Sequence, residues 1–155
     1  MNTSRRTILK ASMAVSTVAL AVGANLLTPS TVLAAWPAKA FKAKKINEAM
    51  AAMGDTKAQA SSDIKIKAPD IAENGAVVSV TVSSTLPKVE SMTLYVPVNA
   101  YPLTASYQLS SQTESFITGR IKMGKTSDIV AVVKSNGKLY TAKKAVKVTL
   151  GGCGG

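Results

Sequence analysis

The chain has 155 residues, of which 46% are hydrophobic and 17% are charged, and its formal net charge is +11. This length supports one ordinary hydrophobic core and is too short for two. A single cysteine, Cys153, excludes an intramolecular disulfide and any two-cysteine redox or metal motif. The chain has no histidine, which removes the usual general base, the usual activator of a catalytic cysteine and the commonest metal ligand.

Residues 1–34 have the layout of a cleavable export signal. The pair Arg5-Arg6 precedes an uncharged, mildly apolar run over 11–27, and a small-residue stretch ends at Ala34. Paired arginines are typical of a twin-arginine signal, which exports folded proteins. A permanent membrane anchor is the less favoured alternative, because the run lies at the lower limit for spanning a bilayer. We therefore expect cleavage after Ala34, export to the periplasm and no permanent membrane anchor.

The charge of the mature chain is positive and almost entirely due to lysine. Three positive charges, Arg5, Arg6 and Lys10, belong to the signal, so the remainder has a net charge of +8. A lysine-rich surface suits small anions or acidic partners, although it can also be simply solvated. Nucleic acid is not an expected partner, since Arg120 is the one arginine left and no basic-aromatic interleaving is present.

Residues 35–60 form the next predicted unit, an N-terminal helical segment rich in alanine, lysine and methionine. Its large apolar side chains recur at helical spacing, which predicts an amphipathic helix with one apolar face: Phe41, Ile46, Met50 and Met53. Gly54 is expected to end the first helical stretch. Such a helix could lie on its own domain or bind a partner, and we favour the first.

Residues 61–150 change to a period of two, which indicates β-strands. The continuous apolar run Ile129–Val133 predicts a central buried strand, and Asn136-Gly137 is the strongest hairpin signal in the chain. Asn74-Gly75 is a second turn dipeptide. In the last strand, lysine interrupts the apolar alternation at Lys143-Lys144, so we expect a bulge or bend there.

The pattern amounts to seven or eight short strands with a turn signal about every ten residues and no helix between them. We therefore predict a mainly β fold, an immunoglobulin-like antiparallel β-sandwich that carries the N-terminal helix on one side. A small β-barrel is the competing arrangement.

The last five residues, 151–155, place the only thiol among glycines. Cys153 is flanked by Gly151, Gly152, Gly154 and Gly155. Glycine populates both signs of φ, so this stretch is expected to be a flexible arm rather than a packed element. Five extended residues span roughly 17 Å, which lets the sulfur reach well beyond the domain. A frayed terminus without function is the alternative.

Catalytic constellations are missing from the rest of the sequence. The carboxylates are scattered, without the spacing of a metal site or of a paired acid and base. We interpret them as solvated surface groups: Glu48, Asp55, Asp63, Asp70, Glu73, Glu90, Glu114 and Asp128. No glycine-rich loop precedes a helix, so phosphate binding is unsupported. We expect no cofactor, no metal site and no catalytic residue, and the one candidate site residue is Cys153.

Several segments, together with the export signal, resemble the SoxY family, the substrate-carrying subunits of a periplasmic thiosulfate-oxidising system. They are the stretches 71–78, 126–134 and 137–140 and the tail 151–155, which read IAENGAVV, TSDIVAVVK, GKLY and GGCGG. One departure is 99–103, which reads NAYPL where the family has a loop richer in proline. The resemblance covers nearly the whole chain.

The resemblance implies a sulfur carrier that is not itself an enzyme. Cys153 would be the covalent attachment site, joined to thiosulfate by a haem-containing enzyme to give an S-thiosulfonate. A metal-dependent hydrolase would then release sulfate and leave a persulfide on the cysteine. The family also implies a tight complex with SoxZ, a small β-sandwich protein that crosses the membrane with its partner. Separately, an exposed Cys153 thiol can oxidise, so some disulfide-linked oligomer is expected.

Two other functions are compatible with parts of the sequence. The first is a structural or interaction protein whose Cys153 forms only an intermolecular disulfide. The second is a thiol oxidoreductase, which the missing second cysteine and the missing histidine disfavour.

Overall fold

The computed structural model describes residues 37–149. The predicted export signal (1–34) and the predicted arm (151–155) therefore lie outside the described residues. Within the described range two helices precede nine strands: α1 (Ala38–Lys42), α2 (Ile46–Met53), β1 (Gln59–Ala60), β2 (Ile64–Lys67), β3 (Ile71–Ala72), β4 (Val78–Ser84), β5 (Val89–Tyr95), β6 (Leu103–Gln108), β7 (Phe116–Ile121), β8 (Ser127–Ser135) and β9 (Lys138–Val148).

The strands form two sheets. The larger has the order β1-β9-β8-β5-β6, with β3 also paired to β9, and the smaller has the order β2-β4-β7. Pairing is antiparallel except for β1 and β3, which run parallel to β9. Because β8 occupies one side of β9, both short strands lie along its other side. Buried side chains from both sheets form one common core, so the predicted immunoglobulin-like sandwich is confirmed.

The core follows the period-two pattern of the sequence. Val78, Val80 and Val82 of β4 are buried, while Ser79 between the first two is exposed. The β8 run Ile129–Val133 is buried at every position, as predicted for a central strand. Its alternate residues face opposite ways, so both faces of the larger sheet must be covered.

The two helices cover the outer face of the larger sheet. Ala40 of α1 and Ala49 of α2 are buried in a cluster with Tyr95, Val130 and Val132 on the outer face of the larger sheet. The amphipathic helical segment therefore lies on its own domain, as favoured from the sequence. Small alanine side chains allow the helices to approach the sheet closely.

The structure divides the predicted helical segment into two helices. Backbone at Ala43 is extended and ends α1. At the end of α2, Gly54 takes the left-handed conformation with φ of 81°, which confirms the expected stop. After this point the chain pairs with β9 through Gln59-Ala60 rather than continuing as helix.

The hairpin between β8 and β9 also matches its sequence signal. Asn136 and Gly137 have φ of 48° and 71°, as the two central residues of a type I′ turn require. The amide of Gly137 donates to Glu90 Oε1 over 2.7 Å. Glu90 also pairs with Lys134 at 2.8 Å, and this hydrogen bond lowers the pKa of the Glu90 carboxyl.

The prediction of a bulge or bend at Lys143-Lys144 is wrong. The β8–β9 register is continuous there, with Val130 opposite Lys143 and Ile129 opposite Lys144. Lys144 keeps the inward parity because its ammonium pairs with Asp70, just before β3 on the open side of β9. The charge is satisfied at the margin of the sandwich, so the strand does not need to bend.

Close packing, rather than turn conformation, explains why position 75 is a glycine. The turn is present, since Asn74 accepts hydrogen bonds from the amide of Ala76 at its side chain (2.9 Å) and from that of Val77 at its carbonyl (3.3 Å). Gly75 does not have a positive φ, however. A Cβ at this position would lie 2.3 Å from the carbonyl oxygen of Met123 and 2.7 Å from a methyl group of Val148.

A buried polar pair joins the helices to the larger sheet. Tyr95 donates its hydroxyl to Asp55 Oδ2 over 2.6 Å, and both residues are buried. Burial raises the pKa of the Asp55 carboxyl, although the tyrosine hydrogen bond opposes the shift. Burial and the neighbouring carboxylate together raise the pKa of Tyr95 as well.

Gly75→Ala is expected to destabilise the protein by about 1–3 kcal/mol, because the added methyl group overlaps two neighbours that are held in place. Gly119→Ala is the matched control, since its Cβ would meet nothing closer than 3.6 Å. Urea unfolding of both variants measures the difference. Equal stability of the two variants would contradict the close approach at Gly75.

Asp55→Asn is expected to change how stability depends on pH. Because the folded pKa of Asp55 is raised, its contribution to the free energy of unfolding is complete below the unfolded pKa of about 3.9 and is lost as the pH rises through the folded value. The asparagine variant lacks this loss, so its stability relative to wild type should rise as the pH increases above about 4. Urea unfolding at several pH values tests this, and a constant difference would contradict it.

Candidate functional site

The candidate site residue Cys153, with Gly151, Gly152, Gly154 and Gly155, lies outside the described residues. The structure does show the point at which the chain leaves the sandwich toward them. Strand β9 ends at Val148, and Thr149 is the last residue described. The geometry of this end of β9 is therefore what the structure contributes to the candidate site.

Strand β3 holds one side of the β9 end. Ile71 lies opposite Lys147 and Ala72 opposite Val148 in parallel register. The amide of Lys147 donates to the carbonyl of Asp70 over 2.9 Å, and the amide of Thr149 donates to the carbonyl of Ala72 over 3.1 Å. These bonds continue the sheet to the last described residue.

The ion pair between Asp70 and Lys144 closes the same side. It links the residue before β3 to β9 three positions before Lys147. The lysine hydrogen bond and its positive charge lower the pKa of the Asp70 carboxyl. The carboxyl therefore stays ionised, and the pair intact, over the neutral range.

Thr126 holds the other side of the β9 end. Its hydroxyl accepts a hydrogen bond from the amide of Val148 at 2.9 Å and donates to the carbonyl of Val148 at 3.3 Å. The last β8–β9 backbone pair is Ser127 with Val146. The Thr126 side chain thus extends the pairing of β9 by two residues on this side. Val148 is bonded to Thr126, and its neighbours Lys147 and Thr149 are bonded to the β3 side.

The core face of the β9 end is packed as well. The Gly75 backbone lies against Val148, and its carbonyl accepts a hydrogen bond from the amide of Met123 over 2.7 Å. Met123 is fully buried. The residues before β4, after β7 and at the end of β9 therefore meet at one end of the sandwich, which we call the arm end.

A groove lies beside the arm end, between the β5–β6 loop and the β7–β8 loop. Asn99 joins the two loops, because its side-chain nitrogen donates to the carbonyl of Lys122 (2.7 Å) and its oxygen accepts from the amide of Gly124 (3.0 Å). The groove has a volume of about 510 Å³ and is lined by Val98, Asn99, Ala100, Tyr101, Lys122, Gly124 and Lys125.

Two smaller cavities lie away from the arm end. One of about 370 Å³ includes Asp55 and Lys134 in its lining, and one of about 400 Å³ includes Lys57 and Lys138. Within residues 37–149, no three side chains among histidine, cysteine, aspartate and glutamate are grouped closely enough to hold a metal ion. No helix within that range is long and apolar enough to cross a membrane.

The sequence did not single out Thr126 or Asn99 as site residues. Both lie in segments interpreted only as turns or loops, and their partners are 22 to 25 residues away along the chain. The available signal was the residue type, because threonine and asparagine side chains in turns commonly form hydrogen bonds to backbone groups.

The chain is similar to known sulfur oxidation proteins. The family described as sulfur oxidation protein SoxY matches residues 49–153, a range that ends at the cysteine of the tail. Among solved structures, the sulfur carrier protein SoxY from Chlorobium limicola f thiosulfatophilum shares 41% identity, with a TM-score of 0.62. That match covers 68% of this chain and 97% of the other.

A superoxide reductase (neelaredoxin) from Ignicoccus hospitalis is similar in fold alone. It shares 22% identity with a TM-score of 0.50, and the match covers 56% of this chain and 80% of that one. A search of curated protein sequences finds no match.

Thr126→Val is expected to loosen the end of β9. The variant removes the acceptor for the Val148 amide, whose hydrogen exchange should become about five- to tenfold faster if the bond contributes about 1 kcal/mol. The amides of Lys147 and Thr149 bond to the β3 side and should change less. Exchange measured by NMR provides the test.

Thr118→Val is the matched control, because its hydroxyl contacts Thr81 in the smaller sheet at 3.0 Å and does not contact β9. Unchanged protection of Val148 in Thr126→Val, or an equal loss in the control, would show that Thr126 does not hold the strand end.

Proposed function

Because this chain belongs to the SoxY family of sulfur oxidation proteins, we propose that it carries sulfur substrates covalently on Cys153 and presents them to partner enzymes. Its role as a sulfur carrier in sulfur oxidation follows from the family. The attachment site and the chemistry of the adducts are the proposed part.

The observation that carries the proposal is the held end of β9 four residues before Cys153. Val148 is bonded to Thr126 and packed on its core face, and the amides of Lys147 and Thr149 are bonded to the β3 side. Four extended residues beyond Thr149 span roughly 13 Å. The tail therefore starts from a fixed point at the end of β9. Under the proposal, the absence of side chains on the glycines beside Cys153 lets this stretch enter a narrow active site.

Loading forms a sulfur–sulfur bond at Cys153. The thiol and thiosulfate combine to give a cysteine S-thiosulfonate, with release of one proton and two electrons. The electrons pass to the haem-containing enzyme that catalyses the step. The thiol belongs to this chain, while the electron acceptor belongs to the partner.

Unloading breaks the bond between the outer sulfane sulfur and the sulfonate group. Water adds to the sulfonate, sulfate and a proton leave, and the cysteine keeps a persulfide. A metal-dependent hydrolase catalyses this step under the proposal. The cysteine remains within ordinary, reversible sulfur chemistry throughout.

The carrier itself is proposed to be non-catalytic. The sequence contains no histidine, and the carboxyl groups with a perturbed pKa in the described range, Asp55, Asp70 and Glu90, all serve structural contacts. None of these contacts forms a pair of a nucleophile and a base. Activation of the thiol must then come from the enzyme that receives it.

Assembly and location complete the proposal. Arg5-Arg6 and the apolar run after them support folded export to the periplasm by the twin-arginine route. SoxZ is the proposed permanent partner, exported together with this chain.

The carrier function predicts that mature protein exposed to thiosulfate and its loading enzyme gains mass on Cys153, in increments of a thiosulfonate and then of a sulfane sulfur. Cys153→Ser should abolish both the increments and thiosulfate oxidation. Intact-mass measurement with and without reductant detects the adducts, which reductant should remove. An unmodified Cys153 during turnover would overturn the proposal.

A structural protein joined by Cys153 disulfides is the second candidate. It predicts a permanent, reductant-sensitive homodimer as the sole form on a non-reducing gel, with no thiosulfate-dependent change of mass.

A further inference from the structure

We propose that the groove at the arm end is a docking surface for an acidic protein surface, namely the rim of the enzyme active site that receives the carrier arm. This inference rests on the proposed carrier function. It assigns a role to the groove residues beside the end of β9, which the carrier chemistry itself does not require.

Position is the first argument. Lys125 directly precedes Thr126, whose hydroxyl makes two hydrogen bonds to Val148. Lys122 directly precedes Met123, which is bonded to Gly75 beside Val148. The groove is therefore formed by loops next to the point from which the chain leaves the sandwich, where a partner that accepts the tail has to bind.

Rigidity is the second argument. The Asn99 side chain bonds one loop to the other through Lys122 and Gly124, and Pro102 beside the groove is fully buried. Loops fixed in this way present a preformed surface, which reduces the entropy lost on binding.

The mixture of side chains is the third argument. Val98 is 44% exposed and Tyr101 is 54% exposed, so the groove offers two large apolar groups to solvent. Exposed tyrosine is typical of protein interfaces. The groove of about 510 Å³ suits a single inserted side chain or loop of the partner, which favours a transient complex over a permanent one.

Charge identifies the partner. The groove lining contains two lysines and no carboxylate. Neither lysine belongs to an ion pair with the described residues, in which lysine pairing involves Lys45, Lys134 and Lys144. Charge complementarity therefore favours an acidic surface, and unpaired rim charges raise the rate of encounter with such a surface.

A free oxyanion such as thiosulfate is a poorer occupant. Both lysines are exposed, and half of the surroundings are apolar. Exposed charge pairs are strongly screened by water and salt. A protein surface can contact the apolar groups and the lysines at the same time.

The test compares two double variants of equal charge in the full mature chain with its partner subunit. Lys122→Glu/Lys125→Glu reverses the charge of the groove lining. Lys65→Glu/Lys138→Glu is the control, because both lysines are exposed and lie outside the groove. Lys138 starts β9, the 11-residue strand whose other end is held, so it lies roughly 33 Å away from the arm end.

The probe is the purified haem-containing sulfur-conjugating enzyme of the same organism, with binding measured by calorimetry at low and high salt. We expect the groove variant to bind about tenfold more weakly at low salt and the difference to shrink at high salt. The control should stay within about twofold of wild type. Equal weakening of both variants, or of neither, would overturn the proposal.

Tyr101→Ser tests the apolar half without changing charge. Docking predicts affinity about fivefold weaker at both salt concentrations, because the lost contact is not electrostatic. Unchanged enzyme binding by the groove variants, together with a raised KM for thiosulfate, would instead identify the groove as a small-anion site and would overturn docking.

Cys153→Ser separates this inference from the carrier function. The serine variant should bind the enzyme within about twofold of wild type, since docking uses the domain and not the thiol. If the groove variants bind weakly while wild-type Cys153 gains no mass on thiosulfate, the carrier function fails and the docking surface stands. If Cys153 is loaded normally in both charge variants with unchanged affinity, docking fails and the carrier function stands.

Discussion

The structure depends on how the end of β9 is held. A C-terminal strand would ordinarily fray over its last residues. Here Thr126 bonds the backbone of Val148 on one side, Asp70 and Ala72 bond the amides of its neighbours Lys147 and Thr149 on the other, and Gly75 lies against the Val148 side chain from the core. Strand β9, which lies between β8 and the short strands β1 and β3, thus continues the sheet to Thr149. The tail begins from a fixed point, and this point sets the position from which Cys153 can act.

Much of the fold could be predicted because its signals are local. The run Ile129–Val133 and the turn Asn136-Gly137 need only neighbouring residues to specify a buried strand and a hairpin. The bulge expected at Lys144 failed because its partner carboxylate lies 74 residues earlier in the chain. The roles of Asn99 and Thr126 were not predicted for the same reason. Side-chain hydrogen bonds to distant backbone groups leave no periodic pattern in the sequence.

The described domain and the tail have different roles under the proposed function. The buried ionisable pair of the domain, Tyr95 with Asp55, fastens the helices to the outer face of the larger sheet. The ion pairs Lys134–Glu90 and Lys144–Asp70 fasten strands, and the loops at the arm end are joined by Asn99. We propose that positioning and recognition belong to the domain, covalent attachment belongs to Cys153, and the reactions belong to the enzymes that the arm visits.

In the proposed mechanism, the domain positions the thiol without altering its chemistry. The most direct measurement is the alkylation rate of Cys153 by iodoacetamide in the mature chain, compared with a free pentapeptide of the same last five residues. The account predicts agreement within about twofold, because thiol reactivity reflects local surroundings. A rate about tenfold slower or faster than the peptide would mean that the domain buries or activates the sulfur, and would contradict the account.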